Sequence, residues 1–357
     1  MKFMSSSHPT PKEQGYFFPA EFARHSATWL SWPHKEASWP GKIEAIYPVY
    51  SEFVKLVAEG EKVNINVVDE KMKHSAISHL QKVNADFSNI QFFFHPTNDA
   101  WCRDHGPAFL INPKEKKKMV VKWNYNAWGG KYPPFDLDNE VPISIAKHYN
   151  LPLAKPGIVM EGGSVEFNGR GTVLTTTSCL LNPNRNPHLT QSEIENYLRN
   201  YYGTENVLWL GDGIVGDDTD GHIDDITRFV DEETVVNVIE DDKRDDNYKP
   251  LKENLEALEK MRLENGKSLS IVTLPMPSAV VYEDQRLPAS YANFYISNNY
   301  VVVPTFRDAN DERALSILQK YFPARKVVGL DSTDIIWGLG SFHCLSQQEP
   351  ELIPGNF

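Results

Sequence analysis

The sequence predicts a single α/β domain of five similar units repeated around a central axis. Segments with apolar residues at three- and four-residue intervals, typical of helices, mostly precede short β-branched or aromatic runs, typical of strands. A loop rich in Gly, Asp or His comes next, followed by two strands and a tight turn. Markers from successive loops lie 57, 61, 66 and 56 residues apart: Asp104, Glu161, His222, Pro288 and Cys344. Such spacing favours radial repetition, and two doubly wound α/β domains are the alternative.

The individual elements follow this order along the chain. The clearest hairpin joins residues 165–167 to 172–176, because Asn168-Gly169 supplies the positive φ angles of a tight turn. A second hairpin is predicted at 291–296 and 300–303, and Lys114 to Lys118 read as a solvated turn. Helices are predicted at 43–58, 71–81, 143–149, 191–202, 252–264 and 311–322, and further strands at 63–68, 207–210, 269–274 and 326–330.

The length of 357 residues alone favours about two domains. No linker rich in Pro, Gly or Ser divides the chain, however, and five units of roughly sixty residues fill most of it. We therefore expect one catalytic domain at residues 17–357, preceded by a polar N-terminal extension at residues 1–16.

Charge and cysteine content narrow the functional classes. With 36 Lys and Arg against 48 Asp and Glu, the net charge of −12 argues against a nucleic-acid partner. No apolar run approaches the roughly 20 residues of a membrane helix, and residues 1–15 lack a signal-peptide core. The odd set Cys102, Cys179 and Cys344 does not describe a disulfide framework. We expect a cytoplasmic protein without membrane contact, and a homo-oligomer is compatible with the sequence.

Three binding motifs fail on their context. The glycines Gly211, Gly213 and Gly216 match the dinucleotide fingerprint, but three aspartates follow where a helix should bind pyrophosphate. A calcium loop aligned on Gly221 lacks the required acidic first and twelfth positions. Zinc ligation by His222 with Asp224 and Cys344 uses permitted ligand types without a zinc-like spacing, so no metal is expected.

Four loops combine residues that are costly to bury together. If the units surround one axis, these loops meet at one end of it and bring a cysteine, a histidine and several carboxylates together, as a thiol nucleophile with an acid/base partner requires. The excess of carboxylates favours a cationic substrate, and a guanidinium fits best because its planar donors match carboxylate oxygens. The loops are 101–107, 161–163, 218–225 and 338–344.

These loops and their neighbours resemble the agmatine deiminases and the related bacterial peptidylarginine-deiminase-type proteins. The similarity runs from about residue 17 to 350, and six spaced motifs in the same order distinguish it from a chance resemblance. It implies a five-bladed, pseudo-symmetric α/β propeller of the guanidine-modifying superfamily. The matching motifs are Trp101-x-Arg103-Asp104-x-Gly106-Pro107, Asn126-Ala127-Trp128-Gly129-Gly130, Glu161-Gly162-Gly163, Cys179-Leu-Leu-Asn182-Pro-Asn-Arg185-Asn186-Pro187, Asp218-Thr-Asp220-Gly221-His222-Ile-Asp224 and His343-Cys344-x-x-Gln347-Gln348.

The resemblance also implies the catalytic roles. Cys344 is the nucleophile and His222 the general acid/base, while Asp104 and Asp224 grip the guanidinium nitrogens and Glu161 orients the histidine. Thiolate attack on the guanidinium carbon would give a covalent thiouronium intermediate, which water then releases. No cofactor is implied.

Other residues are assigned to the substrate or to the core. Trp101, Trp128 and Gly340 are expected to contact substrate, and Asp218 is preferred over Asp220 for a distal amine. We interpret Cys102, Cys179 and His343 as structural. Leu339 and Phe342 are bulkier than the family pattern, and the sequence leaves open whether they face the pocket or the blade.

The predicted function is hydrolysis of agmatine to N-carbamoylputrescine and ammonia. Deimination of arginine or peptidyl arginine is the alternative, but it needs a cation for the substrate carboxylate, and the acidic loops offer mainly Arg103 and Arg185. A non-catalytic guanidine-binding propeller and a metal-dependent hydrolase are alternatives from other classes.

Overall fold

A computed structural model describes residues 9–352, and five sheets of three or four strands dominate this part of the chain. The strands are β1 (His25–Ser31), β2 (Lys62–Val67), β3 (Ile90–Phe94), β4 (Ala108–Asn112), β5 (Lys117–Val121), β6 (Leu153–Ala154), β7 (Val165–Phe167), β8 (Thr172–Thr176), β9 (Asn206–Leu210), β10 (Thr227–Phe229), β11 (Thr234–Ile239), β12 (Ser270–Pro275), β13 (Val281–Tyr282), β14 (Gln285–Arg286), β15 (Tyr295–Ile296), β16 (Tyr300–Thr305), β17 (Lys326–Asp331) and β18 (Ser346–Pro350).

Helices connect the strands within each sheet. The longer ones are α1 (Ile43–Ala58), α2 (Glu70–Lys82), α5 (Asp136–His148), α7 (Gln191–Tyr202), α8 (Tyr248–Leu258) and α9 (Asp311–Tyr321), and single turns are α3 (Cys102–His105), α4 (Ala127–Gly130) and α6 (Thr177–Leu180). Short 3-10 turns lie at Glu36–Ser38, Phe87–Asn89, Gly162–Ser164, Ile223–Asp225 and Ile335–Gly338.

One strand order recurs in all five sheets. The first strand pairs antiparallel with the second, and the second pairs parallel with a third that follows a helix, as in β4-β5-β6, β7-β8-β9, β10-β11-β12 and β15-β16-β17. The fifth sheet, β18-β1-β2-β3, joins strands from both ends of the chain. The predicted five-unit α/β organisation is therefore confirmed.

Neighbouring units bury each other's apolar faces. One core cluster combines Leu174 of the second sheet with Val235 of the third and Val301 of the fourth. Another links Leu30 of the fifth sheet to Val302 of the fourth. Because each cluster draws on adjacent units, burial of apolar surface stabilises the repeated arrangement rather than a separate core for each unit.

Most predicted elements coincide with the structure, and the differences have local causes. Helix α5 begins at Asp136, before the predicted start, because an internal Pro142 removes only one backbone hydrogen bond. Helix α8 ends at Leu258 instead of residue 264, since Gly266, with a φ of +80°, forms a turn in which Leu263 N–H donates to the Lys267 carbonyl. The β13–β14 hairpin has no counterpart in the sequence prediction.

The described part of the predicted N-terminal extension contacts the body of the protein. Tyr16 is buried, and the backbone N–H of Lys12 donates to the Asn200 carbonyl at 3.1 Å. Residues 1–8 and 353–357 lie outside the described residues. Within residues 9–352, no helix combines the length and apolar character that a membrane crossing demands.

Candidate active site

The predicted chemical residues lie in the loops that precede the first strand of successive sheets, and these loops converge. His222 Nδ1 lies 3.8 Å from Asp104 Oδ1 and 3.9 Å from Asp224 Oδ1. Cys344 Sγ lies 3.6 Å from Asp224 Oδ2. The structure therefore brings the predicted thiol, imidazole and two carboxylates into one buried group.

Gly163 explains how these side chains come so close. A Cβ at this position would lie 2.6 Å from His222 Nδ1, 2.9 Å from Asp104 Oδ1 and 3.0 Å from Asp224 Oδ2. Its backbone N–H also donates to Asp104 Oδ1 at 3.0 Å. The Glu161-Gly162-Gly163 motif thus serves as a backbone surface against which the site packs.

Asp104 is a buried carboxyl group held by two donors. Besides the Gly163 N–H, the indole N–H of Trp128 donates to its Oδ2 at 2.9 Å. Burial raises the pKa of Asp104 to about 6; His222 opposes this shift, and the nearby Asp224 and Glu161 add to it. The carboxylate lacks a full positive counter-charge, which a cationic ligand would supply.

His222 is fully buried, and neither ring nitrogen has a hydrogen-bond partner among the described residues. Burial disfavours the imidazolium, but Asp104, Cys179 and Asp224 outweigh that effect and raise the pKa of His222 well above its ordinary value. This environment favours the protonated ring, which is placed to donate a proton.

Asp224 is supported by the histidine beside the nucleophile. His343 Nδ1 lies 2.6 Å from Asp224 Oδ2, and its Nε2 lies 2.7 Å from Glu21 Oε2. Burial alone would raise the pKa of Asp224, but the hydrogen bond and charge of His343 lower it overall. Sequence reasoning treated His343 as structural and missed this contact, although its position next to Cys344 was the available signal.

A buried ion network at the axis holds His343 in turn. Glu21 accepts from Arg103 Nη2 and Arg228 Nη2, each at 2.9 Å, and Arg228 Nε also donates to Glu166 at 2.9 Å. Burial disfavours ionised Glu21, yet Arg228, His343 and Arg103 lower its pKa well below the usual range. No local sequence pattern indicates this network, because its members come from the segment before β1, the single turn α3 and the strands β7 and β10.

Glu161 is anchored on one side only. Its Oε1 accepts from Arg185 Nε at 2.7 Å, while its Oε2 has no partner among the described residues. Ligand atoms of Glu161, Cys179 and His222 lie within 4.8 Å of one another, a donor set that zinc tolerates. This trio differs from the zinc ligands weighed from the sequence, since it contains Glu161 and Cys179 in place of Asp224 and Cys344.

Cys344 lies at the inner end of the site in an unfavourable environment for a thiolate. Burial, followed by the charges of Asp224, Asp225 and Asp104, raises its pKa well above the ordinary value. The side chain of Asn293 approaches it, with Nδ2 3.0 Å from Sγ. Sequence reasoning did not identify Asn293. This residue lies in an apolar run that is predicted as a strand, whereas in the structure it belongs to the loop before β15.

A cavity of about 320 Å³ reaches Cys344 and Asp104 from the surface. The four residues expected to contact substrate, Trp101, Trp128, Asp218 and Gly340, line this cavity, and so does Leu339. Asp220, the alternative to Asp218 for the distal amine, accepts hydrogen bonds from Arg185 and Lys131. Lys131 Nζ lies 2.8 Å from Asp220 Oδ1.

The two bulky residues near Cys344 have different surroundings in the structure. Leu339 faces the cavity, whereas Phe342 is fully buried and packs against Phe53 with ring centroids 5.0 Å apart. Gly340 is required by its neighbours, since a Cβ there would lie 2.7 Å from the Trp101 ring and 3.3 Å from Cys344 Sγ.

The five repeated sheets and their converging loops define an α/β fold that gathers a thiol, an imidazole and carboxylates in one site. Residues 17–350 match the Porphyromonas-type peptidyl-arginine deiminase family, and the chain belongs to that family. It is 34% identical to the agmatine deiminase of Pseudomonas syringae pv. tomato over 374 aligned positions, covering 97% of this chain and 99% of the relative.

Solved structures agree with this assignment. The agmatine deiminase of Enterococcus faecalis superposes with a TM-score of 0.91 at 32% identity, covering 98% of this chain and 99% of that one. The C. jejuni agmatine deiminase superposes with a TM-score of 0.82 at 34% identity, covering 95% and 98%. An amidinotransferase from Microseira wollei, 13% identical with a TM-score of 0.55, shares the fold.

Proposed function

We propose that this chain is an agmatine deiminase, which hydrolyses agmatine to N-carbamoylputrescine and ammonia without a cofactor. The observation that carries the proposal is the convergence of Cys344, His222, Asp104 and Asp224 at the end of an acidic cavity. Similarity to agmatine deiminases over nearly the whole chain supports it.

The carboxylates of Asp104 and Asp224 hold the guanidinium. Each presents an oxygen toward the space beside His222, and a planar guanidinium can donate two hydrogen bonds to a carboxylate. The bound cation favours ionisation of Asp104, and it lies beside the Cys344 sulfur, where a positive charge favours the thiolate. Substrate thereby assists the ionisation of its own nucleophile, and the thiol proton passes to solvent through the cavity as the cation binds.

Cys344 and His222 carry out the chemical steps. The thiolate attacks the guanidinium carbon, and the protonated His222 gives its proton to the departing nitrogen, so ammonia leaves and a thiouronium remains on Cys344. The neutral His222 then takes a proton from water, whose oxygen adds to the same carbon. The carbon–sulfur bond then breaks and the hydroxyl proton of the adduct passes to the departing sulfur, which releases the urea product and restores the cysteine thiol.

Glu161 orients His222 in this scheme. Arg185 fixes one of its carboxylate oxygens at 2.7 Å, leaving the other without a protein partner and close to the imidazole. A buried carboxylate with one free oxygen is suited to hold a histidine N–H and to stabilise its charged form.

The charges of the cavity favour a substrate with an amine at its far end. Asp99, Asp104, Asp218 and Glu283 line the cavity, and Lys35 is the one cation among its described lining residues. Lys35 Nζ lies 3.4 Å from Asp99 and is already paired. Trp101 and Trp128 flank the alkyl chain, and Asp218, which accepts from the Tyr132 hydroxyl, binds the distal ammonium.

Arginine and peptidyl arginine are the alternative substrates, consistent with the family's description. Their carboxylate or carbonyl end would need a free cation. Arg103 is bound to Glu21 and Gln348, and Arg185 to Glu161 and Asp220, so neither is available to the cavity. This pairing supports agmatine over arginine.

Ammonia release tests the substrate directly, with agmatine, arginine and a peptide ending in arginine compared at equal concentration. We expect turnover of agmatine alone, and no release from agmatine would contradict the proposal. Cys344→Ser should abolish turnover while calorimetry still detects agmatine binding. Undiminished turnover in that variant would overturn the mechanism, and absence of turnover in the parent with retained binding would favour a guanidine-binding protein.

We further propose that residues 17–357 act as one catalytic domain in the cytoplasm. The described cysteines are buried and unpaired, which suits a reducing compartment. A homo-oligomer is compatible with this arrangement, and light scattering at working concentration measures the state.

A further inference from the structure

The loop of the fourth unit, marked by Pro288, contributes none of the predicted site residues, yet it delivers a side chain to the nucleophile. Asn293 is 1% exposed, and its Nδ2 lies 3.0 Å from Cys344 Sγ and 2.9 Å from Asp225 Oδ1. Its Oδ1 accepts from the backbone N–H of Cys344 at 3.3 Å. The amide therefore contacts the nucleophilic residue twice.

These contacts fix which end of the amide faces the sulfur. The backbone N–H of Cys344 can only donate, so the atom opposite it is the oxygen of Asn293. The nitrogen must then point toward the sulfur and toward Asp225. Backbone bonds hold this loop in place, because the His343 N–H donates to the Asn293 carbonyl at 3.2 Å and Ser290 Oγ donates to the Asp225 carbonyl at 2.7 Å.

The Asn293 amide and the acidic groups around the Cys344 sulfur favour different protonation states of that sulfur. Asp224 Oδ2, 3.6 Å away, can accept the proton of the thiol but repels a thiolate, as does the neighbouring Asp225. Among the sulfur's hydrogen-bond contacts in residues 9–352, Asn293 is the N–H donor. A donor stabilises the thiolate and not the thiol.

We propose that Asn293 is a further catalytic residue, which donates a side-chain N–H to the Cys344 thiolate and holds it in position for attack. The inference deepens the proposed deiminase function and rests on it for the attack step. Every one of the five units then supplies a residue to the site, the fourth through Asn293.

Alkylation of Cys344 by iodoacetamide tests this proposal without any substrate. We expect Asn293→Ala to lower the alkylation rate at pH 7 about tenfold and to move its pH midpoint upward by about one unit. Mass spectrometry of the Cys344 peptide follows the reaction, and Cys344→Ser gives the background from the buried Cys102 and Cys179.

Steady-state kinetics provide the second measurement. Loss of one preorganised donor should lower kcat for agmatine about 100-fold and change KM little. Asn298→Ala is the matched control, because the Asn298 amide also makes three backbone contacts, to His25 and Gly60, but lies away from the cavity. This control should keep the parent alkylation profile and kcat.

The outcomes separate the two proposals. Parent-like alkylation and a kcat within about twofold for Asn293→Ala would overturn the role of Asn293. Parent protein that alkylates normally but releases no ammonia from agmatine would contradict the proposed function alone. If the alanine variant does not fold, the same readings on Asn293→Ser decide, since its hydroxyl is too short to reach the sulfur.

Discussion

Replacing Gly163 by alanine should disrupt catalysis far more than folding. Ordinary van der Waals contact begins near 3.4 Å, whereas the new methyl group would lie 2.6 Å from His222 Nδ1 and 2.9 Å from Asp104 Oδ1. His222 must therefore retreat by about 0.8 Å and Asp104 by about 0.5 Å. A misplacement near 1 Å costs on the order of 100-fold in rate, while overpacking costs about 1–3 kcal/mol of stability.

Kinetics with agmatine and thermal unfolding separate these effects. We expect kcat of Gly163→Ala to fall about 100-fold while the protein still unfolds cooperatively. Gly211→Ala is the matched control, because its Cβ would meet only Asn254 Oδ1, at 3.4 Å, and its kcat should stay at the parent value. A kcat within about twofold of the parent for Gly163→Ala would refute the idea that this backbone sets the positions of His222 and Asp104.

Further predictions concern pH, metal and cavity shape. Because the pKa of Asp104 is about 6, kcat/KM for agmatine should fall about tenfold between pH 7 and pH 5. Since folded Asp104 binds its proton more tightly than the unfolded chain does, its contribution to the free energy of unfolding should decrease as pH rises from about 4 to 6, and Asp104→Asn should reduce that slope in urea titrations. Turnover should survive dialysis against a chelator, and its loss would favour a metal-dependent hydrolase. Leu339→Ala should raise kcat/KM for guanidines longer than agmatine relative to agmatine, which competition assays measure. Phe342→Ala should instead cost about 3–5 kcal/mol of stability, measured by calorimetry, without that shift in substrate preference.

Local patterns were sufficient for the fold because each unit repeats the same order of elements. Helix α7, for example, has a complete capping box at Thr190 and a left-handed Gly203 at its end, so its bounds of Gln191–Tyr202 follow from adjacent residues. The hairpin from β7 to β8 likewise depends on its own turn. Helix α5 begins earlier than predicted because another segment of the chain anchors its first turn, where Asp138 accepts from the Asn98 N–H at 2.7 Å. The hydrogen bond lost at Pro142 therefore does not end the helix.

The site was only partly predictable, because several of its contacts join residues that are far apart in the sequence. Asp104, His222 and Cys344 lie in polar loops whose composition is conspicuous in the sequence. Asn293 lies among aromatic residues, and its partner Cys344 is 51 residues away along the chain, so no local pattern indicates the contact. Glu21 and His343 are 322 residues apart in the sequence, and the pairing of β18 with β1 brings them together.

The pKa shifts at the site indicate where a positive charge is missing. Glu21 is paired with Arg228 and Asp224 is hydrogen-bonded to His343, and the pKa of each carboxyl is lowered despite full burial. Asp104 lies 3.8 Å from His222, but burial and the neighbouring carboxylates outweigh that imidazole, and the pKa of Asp104 is raised. Burial and the nearby Asp224 and Glu161 disfavour the ionised form of Asp104, so in the substrate-free state this carboxyl group is largely protonated below about pH 6. In the proposed mechanism, a guanidinium placed between Asp104 and Asp224 supplies the missing charge. Because it would arrive next to the Cys344 sulfur, the event that completes the charge balance would also activate the nucleophile.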